Sequence, residues 1–184
     1  MNAGGDEDAL RLFVAGDLPD ETRHAVEAWQ RRTLEGREGL RLNRSLHITL
    51  AFLGQVAVAR VPELTEALSQ VLVRPCDVAV AEPVFLPLRG AKRVVALQLV
   101  DRDGELTRLQ ADVAAALAAT GLFAAEGRPW RPHLTVARWR RPGHPFSLQN
   151  VNIPPFCVVR VVLYSSLLER IGAVHTPLAV FPAS

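Results

Sequence analysis

His47-Ile48-Thr49-Leu50 recurs 86 positions later as His133-Leu134-Thr135-Val136. Each copy lies in a run that alternates like a half-buried strand, so successive side chains point to opposite faces. His47 and Thr49 then project together, as do His133 and Thr135, while Ile48, Leu50, Leu134 and Val136 pack behind them. A strand that turns imidazole and hydroxyl one way and aliphatics the other is equipped for chemistry on one face. Two such strands predict a site assembled from two similar halves.

The rest of the chain supplies elements to hold them. Leu10 to Ala15 is an apolar run broken only by Arg11 and predicts a buried strand. Asp17-Leu18-Pro19-Asp20-Glu21 starts a helix that runs to about Leu34, with Val26 and Trp29 turned inward. The first motif strand is expected over Ser45 to Leu53 and closes at Gly54. Pro62 opens a second helix whose Leu64, Ala67, Leu68, Val71 and Leu72 form one stripe. Strands follow at Cys76 to Ala81 and Val84 to Leu88, then a basic turn over Arg89 to Arg93 and a strand over Val94 to Val100. Leu106, Leu109, Val113 and Leu117 define a third helix that Gly121 ends.

The second motif strand is expected from Arg131 to Trp139. Arg140 to Pro155, rich in Pro, Gly and Asn, reads as a long loop with room for a short strand. Val158 to Leu163 and Leu178 to Phe181 finish the chain as strands, with Gly172 between them. This order predicts an α+β fold, with mostly antiparallel sheets flanking a central cleft and helices outside. We expect a single bilobal domain over residues 10–184 behind a flexible tail at 1–9.

Composition narrows the class. The 184 residues carry 21 basic and 19 acidic side chains, so no whole-molecule field points to nucleic acid and any such signal must be local. Cys76 and Cys157 are too few for a disulfide framework and read as reduced, buried thiols. Met1 to Asp8 lacks the basic and apolar regions of a secretory signal, and no apolar run is long enough to cross a membrane. A soluble, cytoplasmic monomer with no membrane partner is the expectation.

Two imidazoles on opposed strands suit a reaction that needs one base and one acid near neutral pH. A threonine two residues along can hold a phosphoryl oxygen through its hydroxyl. Phosphoryl transfer asks chiefly for placement and for donors on the equatorial oxygens, which two His and two Thr supply. The flanks of the second motif agree: Arg128, Arg131, Arg138, Arg140 and Arg141 crowd it, with Trp130 among them. Arginine suits phosphate, and an interleaved aromatic can stack a base, although Trp130 also reads as a core or edge aromatic. By parity Arg131 shares a face with His133 and Thr135, Pro132 being able to disturb that register. Arg138 has the opposite parity and needs a twist or bulge to reach the site. His175 could enter the cleft as a third imidazole. A zinc ion held by His47, His133 and His175 is the metal alternative, but no acidic or cysteine companion favours it, so neither metal nor cofactor is expected.

Leu12-Phe13-Val14-Ala15, Leu46 to Gly54 and Arg131 to Arg138, with the closing Leu163-Tyr164-Ser165-Ser166 and Gly172 to Leu178, resemble the two-histidine phosphoesterases. More narrowly they resemble the bacterial and archaeal RNA 2′,3′-cyclic phosphodiesterases, also called 2′-5′ RNA ligases. The resemblance covers about Leu10 to Phe181. It implies a bilobal, pseudo-symmetric fold with the two motifs facing across a cleft. It also implies metal-independent hydrolysis of a 2′,3′-cyclic phosphate, on an RNA end or a nucleoside, to a 2′-phosphate. His47 would protonate the departing 3′ oxygen, His133 would activate water, and Thr49 and Thr135 would hold the non-bridging oxygens. Arg138 matches the basic residue that closes the family's second motif. The chain departs from the family at Arg41-Leu42-Asn43-Arg44-Ser45, which lacks the usual aromatic, and at Ala173-Val174-His175, where a Tyr usually follows the Gly. Two further functions stay open: 2′-5′ ligation at the same site, and an RNA- or nucleotide-binding module without chemistry.

Overall fold

The computed structural model describes residues 9–124, 127, 129–169 and 172–183. Of the tail expected at 1–9, residues 1–8 lie outside the described residues, as does the cluster member Arg128, whereas Ala9 already begins the first strand. The described residues form nine strands and three α-helices. The strands are β1 (Ala9–Gly16), β2 (Leu40–Leu42), β3 (Ile48–Ala57), β4 (Cys76–Leu86), β5 (Lys92–Val100), β6 (His133–Gly143), β7 (Phe156–Val158), β8 (Arg160–Glu169) and β9 (Gly172–Pro182). The helices are α1 (Asp20–Leu34), α2 (Val61–Ser69) and α3 (Glu105–Ala119). The α+β expectation holds. No helix among the described residues is long and apolar enough to cross a membrane.

The strands pair antiparallel in the order β7-β4-β5-β6-β3-β1-β8-β9, with β2 also on β6. This order divides into two four-strand halves, each led by one motif strand. The halves meet where β3 lies beside β6, through one residue pair, Ile48 with Leu134. Helical residues Val26, Trp29, Leu106 and Leu117 pack with Leu12, Val14, Ile48, Leu50, Leu134 and Val136 on one face of the sheet. The histidines and threonines of both motifs stand on the other.

Each motif is followed by a bulge. On β3, Ala15 pairs with Thr49 but Val14 with Ala51, leaving Leu50 extra. On β6, Ala96 pairs with Thr135 but Val95 with Ala137, leaving Val136 extra. An extra residue reverses strand parity. Hence Leu50 and Ala51 are both buried, as are Val136 and Ala137, and the next residues, Phe52 and Arg138, return to the face of the histidines. The carbonyls at the bulges are held from behind by glutamine. Gln30 on α1 donates through Nε2 to Val136 O at 2.6 Å and to Asn43 O at 2.8 Å. Gln110 on α3 donates to Leu50 O at 3.1 Å. Each helix therefore serves the motif strand of the opposite half.

Several boundaries differ from the expectations. β3 does not close at Gly54. A left-handed glycine (φ +76°) accommodates a second irregularity and the strand continues to Ala57. The two strands expected at 76–81 and 84–88 are one, β4, with an irregularity between Val80 and Pro83. The long loop begins only after Gly143, because β6 runs on beside β5 and Trp139 packs with Phe85 and Phe146. The strand expected from Val158 is split between β7 and β8, and β8 and β9 form a longer hairpin than apolar content alone marks. Cys76 and Cys157 are free thiols; Cys76 is buried and Cys157 half-buried.

Gln30 is 1% exposed, so Gln30→Leu deletes one buried and one part-buried hydrogen bond without opening a path for water. We expect a loss of about 2 kcal/mol, read as a lowered urea midpoint at unchanged slope.

Candidate active site

The Ile48–Leu134 pair puts His47 opposite the strand position of Thr135 and Thr49 opposite that of His133, with the two histidines diagonal to each other and all four on one face. The two motifs are thus related by an approximate two-fold axis through that pair. The supporting hydrogen bonds follow the same symmetry. His47 Nδ1 donates to Ser45 O at 2.8 Å, and His133 Nδ1 to Arg131 O at 2.9 Å. A carbonyl only accepts, so both rings carry a proton on Nδ1 and keep Nε2 for proton exchange.

The threonine carbonyls are cross-braced. Asn43, ahead of the first motif, donates through Nδ2 to Thr135 O at 2.8 Å and to Ser45 O at 3.1 Å. Trp130, ahead of the second motif, donates through Nε1 to Thr49 O at 3.1 Å. Trp130 is also packed against the core, so its indole N–H and much of its ring are engaged in structure. Arg131 is exposed and lies before β6 begins, and its carbonyl accepts the hydrogen bond of His133 Nδ1. Arg138 is carried to the site face by the Val136 bulge, the route its parity required. Arg140 and Arg141 lie farther along β6 and are exposed, as are His24 and His144.

Beside His47 stands a wall of rings. The Phe13 centroid is 4.8 Å from that of His47, 5.2 Å from Tyr164 and 4.7 Å, edge-on, from His175. His175 is 5.2 Å from His47, so the third imidazole does reach the cleft. Its Nδ1 is shielded from solvent and has no hydrogen-bond partner among the described residues. No group of three His, Cys, Asp or Glu side chains among the described residues is placed to hold a metal ion.

The surroundings of His47 are positive. Burial lowers its pKa to about 4, with His175, Arg138 and Arg23 adding repulsion and the Ser45 carbonyl opposing them. Burial also lowers His175, helped by Arg11. Arg23 bonds the Leu46 carbonyl at 3.0 Å and Asp17 at 2.8 Å, which fixes the chain just before His47. Such a pocket is prepared for an anion, and one that supplies two imidazole Nε2 atoms and two hydroxyls can protonate, deprotonate and orient it. Phe13, Tyr164, Asn43, Arg23 and the two glutamines have no place in the sequence expectations as site supports. A polar Gln30 beside Trp29 on an inward helical face was the available signal.

A family model described as the 2′-5′ RNA ligase superfamily matches residues 18–158. An RNA 2′,3′-cyclic phosphodiesterase from Archaeoglobus fulgidus is 35% identical over 134 residues, 72% of this chain and 74% of that protein. One from Escherichia coli K12 is 32% identical over 181 residues, 91% of this chain and 93% of that protein. The crystal structure of E. coli LigT complexed with 3′-AMP has the same fold, with a TM-score of 0.82 at 24% identity, over 96% of this chain and 99% of that one.

The lowered pKa of His47 has a thermodynamic consequence. Between about pH 4 and 6.5 the unfolded imidazole binds a proton that the folded one does not. The contribution is fully present above pH 6.5 and is lost as the pH falls toward 4. We expect denaturant stability to fall by on the order of 1–3 kcal/mol over that range, and His47→Asn to flatten the dependence.

Proposed function

The chain belongs to the 2′-5′ RNA ligase superfamily, and from that membership we infer that it is an RNA 2′,3′-cyclic phosphodiesterase working by paired-histidine acid–base catalysis. The observation that carries the reading is the pairing of Ile48 with Leu134, which brings both histidines and both threonines to one face. A binding module would have no use for two imidazoles with identical Nδ1 anchoring.

In the proposed reaction a 2′,3′-cyclic phosphate lies between the motifs, with Thr49 and Thr135 donating to its non-bridging oxygens and Arg138 offsetting its charge. His133 Nε2 takes a proton from water as the water oxygen bonds to phosphorus. The bond from phosphorus to the 3′ oxygen breaks, and His47 Nε2 gives that oxygen its proton, leaving a 2′-phosphate and a 3′-hydroxyl. His47 is neutral in the free protein, so the negative charge of the bound phosphate has to recruit its proton. That charge opposes the repulsion from Arg138 and His175. The scheme calls on no metal. One chain carries both motifs, which supports action as a monomer; the proposed substrates are RNA ends or nucleoside 2′,3′-cyclic phosphates, and the proposed location is the cytoplasm.

With chelator present, the protein is expected to convert an RNA ending in 2′,3′-cyclic phosphate to the 2′-phosphate. His47→Ala and His133→Ala should each lower kcat/KM by about 10²–10⁴-fold. A 3′-phosphate product would reverse the leaving oxygen; turnover unchanged in both variants would refute the assignment of the two histidines.

A further inference from the structure

The structural repeat is longer than the four-residue motif. His47-Ile48-Thr49-Leu50-Ala51-Phe52 and His133-Leu134-Thr135-Val136-Ala137-Arg138 share the histidine, the threonine, the bulge and the alanine after it. They part at the sixth position, where one half has Arg138 and the other Phe52. Because β3 and β6 are antiparallel, Arg138 lies toward His47 and Phe52 toward His133. The first half therefore lacks a cation at the place corresponding to Arg138, and it leaves a large apolar ring 48% exposed there.

A guanidinium nonetheless lies over that ring. Arg11, on the neighbouring β1, sets its Cζ 4.8 Å from the centroid of the Phe52 ring. Arg11 is the single charged residue in the otherwise apolar run from Leu10 to Ala15, and among the described residues it has no carboxylate partner. Burial, and after it the charge of Arg11, lowers the pKa of Arg138 in the opposite half and of His175 in its own half. Two guanidinium groups near enough to repel are relieved when an anion arrives between them. Stacking on an aromatic face fixes the orientation of the fork and leaves its N–H groups available to oxygens.

We propose that Arg11, seated on Phe52, is a further substrate-binding residue whose guanidinium meets the reacting phosphate from the lobe opposite Arg138. This rests on the phosphodiesterase reading for the identity of the substrate, though not for the binding of a phosphate anion. Arg11→Met keeps the aliphatic stem over Phe52 and removes the charge. It should raise KM for a nucleoside 2′,3′-cyclic phosphate, and the dissociation constant of inorganic phosphate measured by calorimetry, by about tenfold or more. Its kcat should stay within a few fold. Arg11→Lys should recover part of the loss, since it restores the charge without the planar fork, and Phe52→Leu should fall between because the guanidinium loses its platform. A purely structural Arg11 would lower thermal stability in Arg11→Met and leave both constants unchanged, which would overturn the proposal. A KM increase confined to RNA, with the mononucleotide and inorganic phosphate unaffected, would overturn it too, by assigning Arg11 to a phosphate upstream. If wild type binds inorganic phosphate but hydrolyses no cyclic phosphate, the activity reading fails while the phosphate measurement still decides Arg11.

Discussion

The geometry of the cleft depends on a few main-chain carbonyls that receive side-chain hydrogen bonds from the opposite half. Asn43 reaches Thr135 O, and Trp130 reaches Thr49 O. Gln30 and Gln110 secure the bulge carbonyls of Val136 and Leu50 in the same crossed fashion. A bulge interrupts the ladder and leaves polar backbone groups to be satisfied elsewhere, and here they face the core. Glutamine satisfies them without admitting water. The same bulges redirect Phe52 and Arg138 into the cleft, so one device both disturbs the sheet and furnishes the site.

Electrostatics and packing pull in opposite directions around His47. The ring wall of Phe13, Tyr164 and His175 removes it from water, and Arg23 and Arg138 add positive potential. Both effects disfavour the imidazolium. They are also what makes an entering phosphate effective, since a partly dehydrated anion interacts more strongly with fixed charges than a solvated one. The Nδ1 anchors on Ser45 and Arg131 keep the tautomer constant while the charge changes.

Much of this was legible in the chain, because it depends on local periodicity. The alternation around His47 and His133 fixes which side chains share a face, and the apolar stripe of α3 appears at helical spacing; that of α2 holds for Leu64 and Leu68, but the helix ends at Ser69 and leaves Leu72 exposed. Arg138 shows where local reading runs out. Its parity excludes it from the site, and only the pairing of Val95 with Ala137 and Ala96 with Thr135 restores it. Bulges are set by the partner strand, here β5, which lies more than thirty residues upstream in the chain. Gln30, Gln110 and Asn43 were obscure for the same reason: nothing within a few residues of them indicates which carbonyl they will meet. Trp130 illustrates the converse, an aromatic in a basic stretch whose N–H is used by the fold.

The crossed arrangement of helices bears on how the molecule assembles. α1 precedes the first motif in the chain but secures the bulge of the second, and α3 precedes the second but secures that of the first. Neither half can complete its own motif strand from its own residues. The Ile48–Leu134 pair closes a loop of 86 residues, a long-range contact of the kind that slows folding. A chain that has emerged only as far as α3 lacks His133 and the strand that pairs with Ile48, and so holds half of the site without the means to align it.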